Sequence, residues 1–257
     1  MLKELVKTDF KLRYQGSVLG HVWSILKPLL LFAIMYTVFV KFLRFGAGIP
    51  HFAVMLLLAI TLWSFFSEAT NQGMRAIVDR GDLVRKINFP KYIVVVSATV
   101  SALINLGINL GVVLVFAVIN GVEFHWHILL VPLVLLELYV FALALAFLLS
   151  ALYVKYRDIG HIWDVVMQAG FYATPIIYPL ALVAATSTTF AKLLLLNPMA
   201  QIIQDARYLM VNNNIETVWN YVGSPFIALI PLAIVIILIV VASIYFRRHS
   251  KQFAEDI

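Results

Sequence analysis

The order of apolar and polar positions divides the chain into long hydrophobic runs separated by short charged loops. A membrane-spanning helix needs about 20 mostly apolar residues at about 1.5 Å of rise each. Six stretches reach that length: residues 24–43, 52–70, 92–119, 128–152, 162–180 and 225–246. The third exceeds one bilayer crossing, so it is expected to tilt or to protrude into water. LLLLNPMAQIIQDARYLM, residues 193–210, begins apolar but is broken by Asn197-Pro198 and then becomes charged, too interrupted to cross. A helical hairpin dipping into the outer face, or lying on it, suits this segment if protein or water satisfies its free backbone groups. The pattern therefore predicts an all-α membrane protein with six transmembrane helices and a re-entrant helical hairpin before the last span, within one transmembrane domain over residues 1–257.

Ahead of the first run, Lys3, Lys7 and Lys11 recur every four residues and stack along one helical face. Leu2, Leu5, Val6 and Phe10 fall on another side, and Asp9 and Arg13 interrupt that stripe four residues apart. Residues 1–22 read as an amino-terminal amphipathic helix in the headgroup layer, lysines toward anionic lipid; a solubilising charged tail is the other reading. Gly16 and Gly20 weaken helix propensity in RYQGSVLGHVWSILKP (13–28), where a bend turns an in-plane helix into a spanning one. Trp23 suits the interface at that turn. Charge before hydrophobicity is also the mark of a signal peptide. The stretch from Leu29 to Val40, however, runs on to Lys41 and Arg44 without a small-x-small cleavage site, and is read as retained.

Placing the amino terminus in the cytoplasm collects fifteen of the nineteen Lys and Arg residues inside, leaving Lys41, Arg44, Lys192 and Arg207 outside. An even number of spans then returns the carboxyl terminus to the cytoplasm. Composition agrees with a membrane location: 63% of the 257 residues are hydrophobic and 12% charged, against about 25% charged in soluble domains. The net charge of +6 lies in short clusters beside apolar runs and forms no continuous stripe, so lipid headgroups and orientation explain it better than nucleic acid. With no cysteine there is neither a disulfide framework nor a thiolate metal site.

The chain lacks the G-x-x-x-x-G-K-[ST] phosphate loop and the H-E-x-x-H and G-x-S-x-G signatures, so no catalytic residue is assigned. His125 and His127 flank Trp126 in an outer loop without an acidic or third nitrogen partner, and read as loop or interface residues; no metal is assigned. Glu137, in LLVPLVLLELYVF, is a carboxylate deep within a predicted span, expected to be protonated, paired or facing a polar cavity. A structural role for it precedes proton transport, because the other runs offer no relay. The inward loop MRAIVDRGDLVRKINFP (74–90) reads as a short helix, a Gly-Asp break, a second short amphipathic turn, and Pro90 opening the next span. Arg80, Asp82, Arg85 and Lys86 form a polar face and Leu83, Val84 and Ile87 an apolar one, as in a docking knob or a simple positive-inside anchor. VKYRDIGHIW (154–163) repeats the theme with Arg157 and Asp158.

Four ordered blocks resemble a known family. Arg13, Tyr14, Ser17, Leu19, Gly20, Trp23 and Pro28 match R-Y-x-x-S-x-L-G-x-x-W-x-x-x-x-P, and residues 82–90 are similar to L-[IV]-x-K-x-x-F-P. Tyr156-Arg157-Asp158 and Thr174-Pro175-Ile176-Ile177-Tyr178-Pro179 look like its Y-R-D and [ST]-P-I-[IL]-Y signatures. Leu196-Asn197-Pro198-Met199, followed by Arg207, resembles L-N-P-[ML]. The chain resembles, over nearly its whole length, the transmembrane subunit of type-2 ATP-binding cassette exporters, specifically the bacterial polysaccharide, O-antigen and teichoic-acid export permeases. The resemblance implies a homodimer in the bacterial cytoplasmic (inner) membrane, bound to two separately encoded ATPase subunits that carry the ATP and Mg. This chain would hold no cofactor. It implies a coupling helix at 74–87, contacts from Arg157 and Asp158, and an outer re-entrant region at 180–215 with Asn197, Pro198 and Arg207. The cargo implied is a glycan on an undecaprenyl diphosphate lipid, with Phe171, Tyr172 and Tyr178 as possible channel lining. An exporter of drugs or small lipids would share this architecture. A secondary carrier is the remoter alternative, since inverted repeats are lacking.

Overall fold

The computed structural model describes residues 2–12, 20–86 and 89–253, and all regular structure within them is helical. The chain opens with α1 (Leu2–Leu12), a tight turn at Gly20–Val22, and α2 (Trp23–Met35), which continues as a π-helix over Tyr36–Phe42. Then come α3 (Phe52–Asp79), α4 (Gly81–Lys86), α5 (Tyr92–Ile119) and, after a turn at Trp126–Leu130, α6 (Val131–Lys155). α7 (Ile159–Ala173), α8 (Leu180–Thr186), α9 (Thr188–Leu195), α10 (Pro198–Met210), α11 (Val218–Tyr221), α12 (Pro225–Ala228) and α13 (Ile230–His249) complete it. Among the described residues, five helical runs are long and apolar enough to cross a membrane: Trp23–Phe42, Phe52–Asp79, Tyr92–Ile119, Trp126–Lys155 and Pro225–His249.

α3 is the hub. Leu56, Leu57, Leu58 and Ile60 are buried on every side of its first half, between α5, α6 and α10, as expected of a helix apolar all round. Its contact with α6 depends on small residues: a Cβ on Gly73 would lie 2.4 Å from the Cβ of Ala146. By contrast, α2 buries only Ser24 and Pro28, and the π segment buries nothing. Gly20, at φ +50° in the left-handed region, opens the turn before α2, so the predicted bend falls where glycine is needed. α1 is helical and packs beside α5, with Lys3 and Lys7 exposed and Leu5 and Val6 half-buried.

Three sequence expectations are corrected. The second run does not stop at 70: α3 continues to Asp79 and absorbs the short helix expected at 74, because its polar positions bond within the helix. Asn71 Nδ2 donates to Ser67 O at 2.9 Å and Gln72 Nε2 to Glu68 Oε1 at 3.2 Å, while Met74, Ala76 and Ile77 remain buried. The fifth run does not form one helix over 162–180. α7 stops at Ala173, since Pro175 has no N–H and disfavours helical backbone at Thr174, whose ψ is 143°. Its 15 residues span about 22 Å, short of the roughly 30 Å hydrocarbon core. The hairpin also moves. α8 and α9 fold back on each other around Ser187, which caps α9 by accepting from Phe190 N–H at 3.3 Å, while Asn197-Pro198 serves as the start of α10.

Contacts along α7 run antiparallel to α3. Gly160 lies against Met74, Trp163 Nε1 donates to Thr70 Oγ1 at 3.1 Å, and the Phe171 and Trp63 rings are 6.0 Å apart. Beyond the break, Arg207 ties the carbonyls of Ile176 and Met55 together. From Met74 to Met55 is 19 residues of α3, about 28 Å of helix. α6 and α13 lie side by side and parallel: the tilted Phe147 and Phe246 rings meet at 5.0 Å at one end, and Leu133 and Leu232 line one cavity near the other. A small separate core of Leu180, Leu194, Leu195, Val218 and Val222 holds the α8–α12 cap together.

Candidate functional site

A groove of about 690 Å³ runs between α2, α3, α5 and α7. It is built where a long apolar helix carries a polar stripe: Ser64, Ser67, Glu68, Asn71 and Gln72 stand at helical spacing on α3. Asn105 and Asn109, one turn apart on α5, and Gln168 on α7 face it. Asn105 Nδ2 donates to Glu68 Oε1 and Oε2 at 3.1 and 3.3 Å, so the carboxylate is held by amides on two sides. Trp63, Phe171 and Tyr172 add aromatic faces, and Trp23, Lys27 and Pro28 form the α2 wall. Amides, hydroxyls and flat rings at such depth can exchange hydrogen bonds with a hydroxyl-rich solute while stacking on its C–H faces.

Of the residues considered for channel lining, Phe171 and the exposed Tyr172 lie on this groove. Tyr178 does not line it; its hydroxyl donates to Tyr172 O at 3.1 Å and braces that turn. Trp23 lines its α2 wall and Gly20 lies in the turn before that helix, whereas Arg13, Tyr14 and Ser17 lie outside the described residues. The α3 and α5 amides were missed by sequence reading because each sits alone in an apolar run. Their i, i+4 recurrence at Asn105 and Asn109, and at Ser67 and Asn71, is the signal that marks the stripe.

At the end of the bundle that carries residues 74–91, the two charged loops meet. α4 turns Val84 into a core shared with Ile77, Val95, Val154, Phe246 and Phe253, and leaves Asp82 and Arg85 exposed and Leu83 half-buried. Arg80, in the break before α4, donates to Ser97 Oγ at 3.0 Å. Burial pulls its guanidinium below the usual arginine range. Lys91 Nζ donates to Ser250 O at 2.6 Å, tying the end of α13 to this face. Arg157 and Asp158 are exposed in the turn between α6 and α7. Arg157 lies 5.3 Å from the Tyr153 ring centroid and, with Arg75, acts electrostatically on Asp79. The two loops singled out from sequence therefore form one face. Ile87 and Asn88 lie outside the described residues, as does the side chain of Lys86.

At the opposite end, Arg207 is fully buried and its guanidinium faces no carboxylate among its bonded partners. It donates to Pro175 O and Ile176 O at 2.7 Å each, to Met55 O at 3.3 Å and to Gln204 Oε1 at 2.9 Å. Pro175 and Ile176 lie in the break after α7, outside any helical ladder, so their carbonyls need an external donor. Asn197 accepts from Met199 N–H at 3.0 Å and caps α10, with Pro198 at its first position. Asn197, Pro198 and Arg207 thus act together to seat α10 against the break. Glu137 is paired: Gln201 Nε2 donates to its Oε2 at 3.3 Å.

Comparison with known proteins places this geometry. The ABC-2 type transporter family matches residues 2–211. The chain is 32% identical to the O-antigen export system permease protein RfbA of Myxococcus xanthus over 260 aligned residues, covering 100% of this chain and 95% of that protein. It is 25% identical to an O-antigen export system permease protein RfbA of Klebsiella pneumoniae, over 99% of this chain and 94% of that one. With a match over most of its length and a relative this similar from end to end, the chain belongs to the ABC-2 type transporter family.

Proposed function

We propose that this chain is the membrane-spanning subunit of an ATP-driven exporter that moves a lipid-linked polysaccharide, of O-antigen or teichoic-acid type, across the bacterial cytoplasmic membrane. The observation that carries the reading is the groove of amides and aromatic rings sunk among apolar helices, in a chain whose relatives are named for O-antigen export. The lipid is an undecaprenyl diphosphate, whose glycan takes the groove. Six crossings support the path. α6 and α13 run the same way, so the chain returns between them, by α7 and its extended continuation along the length of α3. Both termini then lie in the cytoplasm, with α1 in the headgroup layer and α8–α10 dipping into the outer face.

Two copies face each other across their grooves, and the sparsely buried α2 stands at the junction. Two ATPase subunits, carrying ATP and Mg, dock on the face made by α4 and the Arg157–Asp158 turn. Their motion acts through a differential contact between two states of this face, because α4 shares its core with the ends of α3, α6 and α13. In a strain lacking the gene, surface polysaccharide is expected to disappear. Cysteines at Asp82 or Arg85, both exposed, are expected to cross-link to the ATPase. A folded complex that never cross-links there defeats the docking assignment, and unchanged surface glycan with lost drug or small-lipid efflux replaces the substrate.

A further inference from the structure

A second cavity, of about 820 Å³, opens between α6, α10 and α13 and lies apart from the groove. Its wall is largely leucine, valine and isoleucine, yet Glu137, Gln201 and Asp205 stand together on it. The Gln201 side-chain N–H group donates both to Glu137 Oε2 and to Asp205 Oδ2, and Trp219 Nε1 donates to the same Asp205 oxygen at 3.3 Å. This chain of bonds uses the donors and leaves acceptors over. Glu137 Oε1, Gln201 Oε1 and Asp205 Oδ1 are each buried without a hydrogen-bond partner. Gln201 and Asp205 are 3% and 7% exposed, so solvent does not relieve them. Among the described residues no Lys, Arg or His lines the cavity.

Three buried oxygens without donors, two of them carboxylate, on one cavity wall attract positive charge. A proton on either carboxyl satisfies that group alone, whereas a metal cation drawing the three oxygens together would serve all of them and take the remainder of its shell from water in the cavity. All three are hard oxygen donors, the type chosen by Ca²⁺ and Mg²⁺ and shunned by softer metals. We propose that Glu137, Gln201 and Asp205 form a binding site for a hard divalent cation, which fastens α10 to α6 on the far side of the bundle from the export groove.

Trp219 is a built-in reporter, because its indole N–H is bonded to a proposed ligand. The full-length chain in lipid nanodiscs is titrated with CaCl₂ and with MgCl₂, with choline chloride as the ionic-strength control, and tryptophan emission is followed. The expected result is a saturable change with a divalent cation, reversed by chelator, absent from W219F, and weakened at least about 10-fold in E137Q and D205N, as metal sites lose affinity with their supporting groups. Because either variant could disturb packing, the wild-type titration stands as an independent measurement. An emission that follows pH but ignores divalent cations overturns the proposal in favour of a shared proton. Equal responses to choline chloride overturn it as ionic strength alone, and saturation by an alkylammonium salt only overturns it in favour of an amine-bearing ligand.

Discussion

Replacing Arg207 by methionine tests how the α10 end of the bundle is held. Methionine retains an unbranched apolar stem of similar reach but removes every donor. Met55 O sits inside the α3 ladder and keeps a backbone donor. Pro175 O and Ile176 O, each held at 2.7 Å, lie in the non-helical break and are left buried and unpaired, at about 1–3 kcal/mol apiece. Relief from burying a guanidinium offsets part of this, and the net cost expected is about 2–4 kcal/mol. Lysine restores little, because one ammonium cannot reproduce a planar fork that reaches two successive carbonyls and a glutamine at once. The chain contains no cysteine, so a single Thr174→Cys reports cleanly on opening of this break; Thr174 is 0% exposed. Thiol labelling in detergent should be roughly 30- to 1,000-fold faster when R207M is added, at tenfold per 1.4 kcal/mol, with a lower melting temperature. Equal labelling rates and an unchanged melting temperature would refute the view that Arg207 clamps the break.

Gly73→Ala is expected to cost about 1–3 kcal/mol by overpacking, since its new methyl would meet the Ala146 Cβ at 2.4 Å. Adding Ala146→Gly should restore most of the loss in thermal unfolding. Phe253→Ala, which empties a fully buried site behind α4, should destabilise by about 3–5 kcal/mol. It should also lower cross-linking of a cysteine at Asp82 to the ATPase, read on gels. Tyr172→Ala, at a side chain 56% exposed on the groove, should leave stability within about 0.5 kcal/mol yet reduce surface glycan severalfold on immunoblots. Equal loss of both would mark Tyr172 as structural.

The runs at 92–119 and 225–246 were legible because each is apolar along nearly its whole length, and α5 begins and ends where the pattern does. α3 was misjudged for the opposite reason. A helix buried among neighbours can carry Glu68, Asn71 and Gln72 as long as each finds a partner, and hydropathy counts those residues as the end of a span. The fifth run failed at Pro175, where the one-dimensional average stays apolar but the backbone cannot continue as helix. Both loops of the proposed docking face were singled out in the sequence, since exposed charge beside an amphipathic turn is a local signal. Phe253 behind it was invisible, because it joins the core of Val84 from 169 residues further along the chain.

By itself the sequence determined the membrane class, the helical content, the placement of most spans and the bend at Gly20, all of which depend on neighbours within a turn or two. Only the tertiary structure decided what Arg207, Glu68 and Asp205 do. A polar group in an apolar setting takes its meaning from the partner that satisfies it. Gln201 reaches Asp205 within α10, but the other partners, Pro175 and Ile176, Asn105 and Trp219, come together by packing segments distant in the chain, which no periodicity within one helix records.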